Sequence, residues 1–337
     1  MKTAPLVSVC IPCFNAEKTI AKTLDSILAQ TYPNIEIIIS DNQSNDGTKE
    51  VVLTYEKQGV LYVENPPVKD GDGRIFGAFD NWDHALTLGS GEFLCLYHAD
   101  DLYDPKIIEK ELAFLLSNPT NGAVLTLKKS IDVNDDEIKR PKQLRGFDLM
   151  GNRSFDCGEF LELLLAHRHF ISTPTLMIRK EVVSSVGKFN ERDFTTAADL
   201  DYLIRISRKY KIGVINEKLH GYRITEHHAS AKINKARTTV ADYFFVMKYY
   251  IKLFGEENLS QRNLNKHDMY LKNDLARCAW YLFLQGQPYK SREMINSALS
   301  VPWVLHCMKS VHGIKVLGAT LLVYVMTVSR LAKFVRR

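Results

Sequence analysis

The first third of the chain alternates short apolar runs with amphipathic stretches. Val7 to Cys13 and Ile35 to Ile39 are largely apolar without a two-residue alternation, as expected of strands covered on both faces. Between them, Glu17 to Gln30 places Ile20, Leu24, Ile27 and Leu28 on one helical face. The pattern continues with helix Gly47 to Lys57, strand Val60 to Val63, and a loop containing Gly and Pro from Asn65 to Gly73. Helix Phe76 to Leu88, strand Phe93 to Tyr97 and helix Pro105 to Ser117 follow. This β-α-β-α order predicts an α/β fold with a mainly parallel, doubly wound sheet and helices on both faces. Ligands of such sheets bind beyond the carboxyl ends of the strands, here the loops after Cys13, Ser40 and Tyr97.

The middle third is less regular. Ala123 to Leu127 and Thr175 to Ile178 read as strands separated by a charged loop around Asp132 to Arg145. Leu200 to Arg208 reads as a helix, and Ile212 to Ile215 and Leu219 to Ile224 as two short strands. From about Ala236 only helical patterns remain. A boundary is expected near residue 232, dividing a domain at 1–232 from a helical C-terminal region at 233–337.

Charge changes this picture only at the end. The formal charge is +5, but Lys309, Lys315, Arg330, Lys333, Arg336 and Arg337 follow Glu293 with no acid among them. The basic excess is therefore a property of the tail. Val316 to Ser329 is an uncharged run within it, about 21 Å long as a helix and short of the roughly 30 Å hydrocarbon core. With flanking cations and with Trp303 and Tyr324 nearby, it reads as an interfacial helix on an anionic membrane surface, or as a helix closing the core. The six cysteines are scattered, and the C-x-x-C of Cys10 and Cys13 lies inside an apolar run with no partner pair, so buried thiols are expected there rather than a redox or zinc site. Free thiols and the lack of a recognisable secretory signal point to a cytosolic location.

Three loops carry candidate chemistry. Ile11-Pro12-Cys13-Phe14-Asn15 closes the first strand. Asp41, at the start of Asp41-Asn42-Gln43-Ser44-Asn45-Asp46-Gly47-Thr48, sits where a carboxylate could accept from a base N–H, or could shape a strand-end turn; Asp46 reads as a turn and capping residue. Tyr97-His98-Ala99-Asp100-Asp101 places two adjacent carboxylates after an apolar strand. Their repulsion calls for a divalent cation, the alternative being helix capping ahead of Pro105, for which Asp104 is better placed.

As a set, these segments resemble the inverting family-two glycosyltransferases of GT-A fold. The match runs over about residues 6 to 105: V-S-V-x-I-P-x-F-N, then S-D-N-x-S-x-D-G-T, then F-x-N-W-x-x-A-L-x-x-G-x-G-E-F, then Asp-Asp. The resemblance implies a donor half at about 1–105 and an acceptor half at about 106–232. It implies donor contacts from Pro12, Phe14, Asn15, Asp41, Arg74, Asn81 and Asp100. It also implies a Mn²⁺ or Mg²⁺ ion on Asp100 and Asp101, with His98 or His228 as a further candidate. Where the family often has Asp-x-Asp-Asp, this chain has His98, which can ligate but brings no charge. Asp199 matches the base of the family's Glu-Asp acceptor element, the Glu being replaced by Ala198; by itself Asp199 reads as a helix cap. The stretch Tyr222-Arg223 to Ser230 resembles a further family element, with Thr225 at the usual His and His227 and His228 slightly later.

The expected activity is transfer of a sugar from a nucleotide diphosphate donor to a glycan or lipid-linked glycan hydroxyl, in surface polysaccharide synthesis, at the inner face of the membrane. The rivals are a nucleotidyltransferase, which lacks a basic phosphate loop here, and a catalytically silent sugar-nucleotide-binding scaffold. No P-loop or dinucleotide fingerprint is present, and no basic patch interleaved with aromatics points to nucleic acid.

Overall fold

The computed structural model describes residues 4–66, 76–138, 151–168, 172–224 and 237–328. Its contacts divide into two compact units, Met1–Thr225 and Glu226–Arg337. The boundary expected near residue 232 falls among residues 225–236, outside the described ones.

The first unit begins with β1 (Val7–Cys13), α1 (Ile20–Leu28), β2 (Ile35–Asp41), α2 (Thr48–Leu53), β3 (Val60–Glu64), α3 (Ala78–Leu88) and β4 (Phe93–Leu96). Every residue of β1 is buried, as an apolar strand covered on both faces requires. Cys10 and Cys13 both lie on this extended strand, about 10 Å apart at three residues' rise, too far for a disulfide. The helix expected over Gly47 to Lys57 ends early. A 3₁₀ turn at Glu56–Gln58 leads to Gly59, whose φ of 88° breaks the helix and turns the chain into β3.

β5 (Leu102–Tyr103), α4 (Ile107–Ser117), β6 (Asn121–Ile131), β7 (Arg153–Phe155), α5 (Cys157–His167), β8 (Leu176–Arg179), α6 (Lys180–Val186), α7 (Glu191–Phe194), α8 (Ala198–Ser207) and β9 (Lys211–Arg223) complete the unit. The sheet order is β3-β2-β1-β4-β8-β6-β9-β5, with β7 also on β9. β3, β2, β1 and β4 run parallel, and β6 is parallel to β9. Antiparallel pairs enter beyond β4, at β4–β8, β6–β8, β5–β9 and β7–β9. The strand order reverses between β1 and β4, which makes the carboxyl ends of these two strands the switch point where a ligand crevice is expected.

The two short strands expected at Ile212 to Ile215 and Leu219 to Ile224 are one strand, β9. The polar Asn216-Glu217-Lys218 stretch that suggested a break is a bulge: Thr126 pairs with Ile215, but Leu127 pairs with Lys218.

The second unit is helical: α9 (Asp242–Phe254), α10 (Gln261–Leu284), α11 (Pro288–Ala298), α12 (Val301–Cys307) and α13 (Val311–Val328). Ala279, Phe283, Ile295 and Val323 form one core cluster, and Ala276, Trp303 and Cys307 another. Trp303 is therefore no interfacial anchor. It is fully buried, its indole N–H donating to Asn273 Oδ1 at 3.0 Å. No helix among the described residues is long and apolar enough to cross a membrane.

Candidate active site

The loops at the switch point are tied to one another. Asn15 follows the half-exposed Phe14, takes φ 50°, and donates its N–H to Ser44 Oγ (2.8 Å); the Asn45 N–H answers to Asn15 Oδ1 (2.9 Å). Asp41 is 1% exposed. Its Oδ1 accepts from the Ser44 N–H and hydroxyl (3.1 and 2.6 Å) and its Oδ2 from the Tyr62 hydroxyl (2.6 Å). In this structure Asp41 orders its own loop. Asp46 accepts from the Thr48 N–H (3.1 Å) and hydroxyl and from the Glu17 N–H (3.2 Å); these bonds outweigh its burial and hold its carboxyl below the ordinary range.

Asn81 is also buried, and its amide is a brace. Its Oδ1 accepts from Ser40 Oγ and Asn65 Nδ2 (both 2.7 Å), and its Nδ2 donates to Cys13 O (3.2 Å), so the ends of β1 and β2 and the residue after β3 are joined. Pro12 is buried within β1 beside Ser40. Arg74, His227 and His228 lie outside the described residues.

The turn from His98 to Asp101 leaves β4 and enters β5. His98, Asp100 and Asp101 each offer a ligand atom within 4.8 Å of the others, a set of one nitrogen and two carboxylate oxygens that suits Mn²⁺. The two carboxylates are not alike. Asp100 is half-buried, whereas Asp101 is fully buried; its Oδ2 lies 2.8 Å from His220 Nε2 and its Oδ1 accepts the Arg223 N–H at 2.8 Å. Part of the compensation that the sequence assigns to a cation is thus supplied by β9. Trp82 packs on His98 with ring centroids 4.7 Å apart, and Phe189 and Tyr202 extend this aromatic wall to α8. Beneath it, burial pushes the Asp83 carboxyl up to about 7, although the Phe189 N–H points at it.

Asp199 opens α8. Its Oδ2 accepts from the Thr173 hydroxyl (3.0 Å) and its Oδ1 from the Leu200 N–H (2.7 Å). Burial raises its carboxyl above the ordinary Asp value, and these two bonds oppose the rise. Leu176 pairs with Leu96 in antiparallel register, so the turn before β8 that carries Thr173 lies at the same sheet end as the loop after β4. That brings Asp199 to the edge occupied by the carboxylate turn. Ala198 is fully buried, and Asp201 is 1% exposed and accepts from Arg205 Nε at 2.8 Å. Asp83, Trp82 and His220 were not legible as site residues. His220 sits inside an apolar strand pattern, and its position opposite Tyr103 in the β5–β9 pair and its contact with Asp101 place it at the turn.

The profile of glycosyl transferase family 2 matches residues 8–187. The chain belongs to this family. Among its relatives, TuaG of Bacillus subtilis, named for teichuronic acid biosynthesis, is 27% identical over 69% of this chain and 84% of its own. WfgD of Escherichia coli is named a UDP-Glc:alpha-D-GlcNAc-diphosphoundecaprenol beta-1,3-glucosyltransferase. It is 32% identical over 34% of this chain and 42% of its own. The crystal structure of Staphylococcus aureus TarS 1-349 with UDP-GlcNAc superposes with a TM-score of 0.57 at 16% identity, covering 96% of this chain and 90% of that one. The fold of this family 2 glycosyltransferase is GT-A, with C-terminal helices added.

Proposed function

We propose that the protein is an inverting transferase that moves a sugar from a nucleoside diphosphate donor to a hydroxyl of a glycan or lipid-linked glycan. The observation that carries this reading is the His98–Asp100–Asp101 cluster at the β1/β4 switch point, at the same sheet end as Asp199. His98 and Asp100 would hold a divalent cation, with Asp101 behind them. When bound, such an ion neutralises the departing diphosphate. Asp199 takes the proton of the acceptor hydroxyl as the anomeric bond forms, and burial makes it a stronger base than an ordinary Asp. The tied Asn15–Asp46 loops present the nucleoside pocket, with Phe14 and Asn15 on its exposed rim. The test is release of nucleoside diphosphate from a panel of nucleotide sugars with and without Mn²⁺. Release that needs Mn²⁺ and rises with acceptor supports the proposal. Tight donor binding with no turnover would favour the silent binding protein, for which the departures at His98 and Ala198 speak.

The proposal includes a peripheral position at the inner face of the membrane. One side of α13 packs through Val323 and Thr320, while Leu321, Leu322, Val325 and Val328 stay exposed. On α12 and the turn after it, Val301, Leu305 and Met308 are exposed beside Lys309. Phe245, Tyr249 and Leu253 line the outer face of α9 with Lys248 and Lys252 between them. Apolar faces edged by cations suit an anionic lipid surface. Removing α13 would strip Val323 from the core, so the test uses Leu305→Gln with Leu322→Gln, both more than half exposed. Flotation with anionic vesicles is expected to weaken about tenfold or more, on the order of 1 kcal/mol per Leu withdrawn from lipid. Unchanged flotation would remove the membrane assignment.

A further inference from the structure

We infer that strand β9 sets the geometry of the carboxylate turn, with His220 and Arg223 acting as positioning residues for Asp100. The inference rests on the metal reading proposed above. It starts from how thoroughly the turn is held. The His98 N–H donates to the Tyr103 hydroxyl at 2.6 Å. The Thr19 hydroxyl donates to Ala99 O (3.1 Å) and the Thr23 hydroxyl to Asp101 O (2.8 Å). Between those two carbonyls, Asp100 O accepts from Arg223 Nε at 2.8 Å. Arg223 thus grips the residue proposed to carry the ion from the backbone side, while its own N–H and the His220 ring grip the next carboxylate.

The grip is stiff because its own anchors are buried. His220 is fully buried and stacked on Tyr103 at 5.3 Å between centroids; Arg223 is 2% exposed. Arg223 Nη1 also reaches Asp132 O (3.0 Å) and the Asp135 carboxylate, which pairs with Lys22 Nζ at 2.7 Å. A salt bridge alone would not need this arrangement. Ligand atoms that project from a turn held on its backbone lose less freedom on binding an ion. β9 therefore fixes the backbone from which Asp100 projects, and the carboxylate beside it.

The test is titration of the full chain with Mn²⁺ alone, read from the paramagnetic signal of the free ion, with unfolding midpoints measured alongside. Arg223→Lys keeps the charge but not the planar fork, and His220→Leu removes the donor to Asp101. Each is expected to weaken Mn²⁺ binding about 10- to 100-fold. His220→Gln, whose amide can donate to Asp101, is expected to recover most of the loss, which a merely space-filling role would not predict. Should Arg223→Lys or His220→Leu fail to fold, Asp135→Asn decides: Asp135 is 29% exposed, and its loss should weaken Mn²⁺ binding several-fold with the midpoint unchanged. Folded variants that bind Mn²⁺ like the wild type overturn the inference alone. A wild-type chain that binds no Mn²⁺ even beside a nucleoside diphosphate overturns the metal reading and the inference with it.

Discussion

Asp199→Asn is expected to bind nucleotide sugar as the wild type does and to transfer it about 10²- to 10⁴-fold more slowly. The amide oxygen can still accept from the Leu200 N–H and the amide NH2 can donate to the Thr173 hydroxyl oxygen, so both contacts that fix the carboxylate have a counterpart and the start of α8 should keep its shape. What is lost is the proton acceptor. The pH dependence supplies a second readout. A base works only when ionised, so wild-type transfer should fall as pH drops through the Asp199 pKa. Because burial raises that pKa, the fall should begin at a higher pH than an ordinary Asp near 3.9 would give. The variant should lack this limb. Transfer assays across pH with donor affinity measured by calorimetry decide the matter; parallel loss of donor affinity and rate would place Asp199 in the donor pocket or the fold instead.

Asp100→Ala and Asp101→Ala should fail in different ways. The first removes the half-buried carboxylate proposed to face the diphosphate, and is expected to lower transfer about 10³-fold with little change in stability. The second removes the acceptor for the Arg223 N–H and the partner of the His220 ring, all in a fully buried place. It is expected to lose stability by about 3 kcal/mol as well as activity. Urea unfolding curves beside nucleoside diphosphate release separate the two. Equal stability of Asp101→Ala and wild type would mean that the β9 contacts carry no weight, and wild-type turnover by Asp100→Ala would remove that residue from the metal site.

β1, β2, β4 and α1 were legible because the strands are dense apolar runs and the helix has a clean apolar face, so local pattern and tertiary placement agree. The acceptor half was harder for identifiable reasons. β5 has two residues and exists only because β9 lies beside it. α5 does carry a local signal, a capping box of Asp156 and Glu159 ahead of an apolar run, which the pattern of hydrophobic positions alone does not use. In the candidate site, the residue types and order point to loops that the fold gathers at one sheet end, but the contacts between them do not show. Asp41, Asn81 and Asp101 are buried, with their polar groups turned to their neighbours, and burial at a strand end depends on partners far away in sequence. His220 is the clearest case, since its partner is 119 residues away.

That separation has a consequence for biosynthesis. The chain leaves the ribosome from its N-terminus, and the carboxylate turn precedes its Arg223 partner by 122 residues. At about 5–20 residues per second, the nascent donor half waits roughly 6 to 24 s before β9 can reach it. Through that interval Asp101 lacks its β9 contacts, and until Leu176–Arg179 has been made the apolar edge of β4 also waits for β8. A pause or truncation between residues 102 and 223 would therefore release a sheet with its signature sequence intact and its acidic turn unbraced, a species for chaperones to hold rather than one able to work.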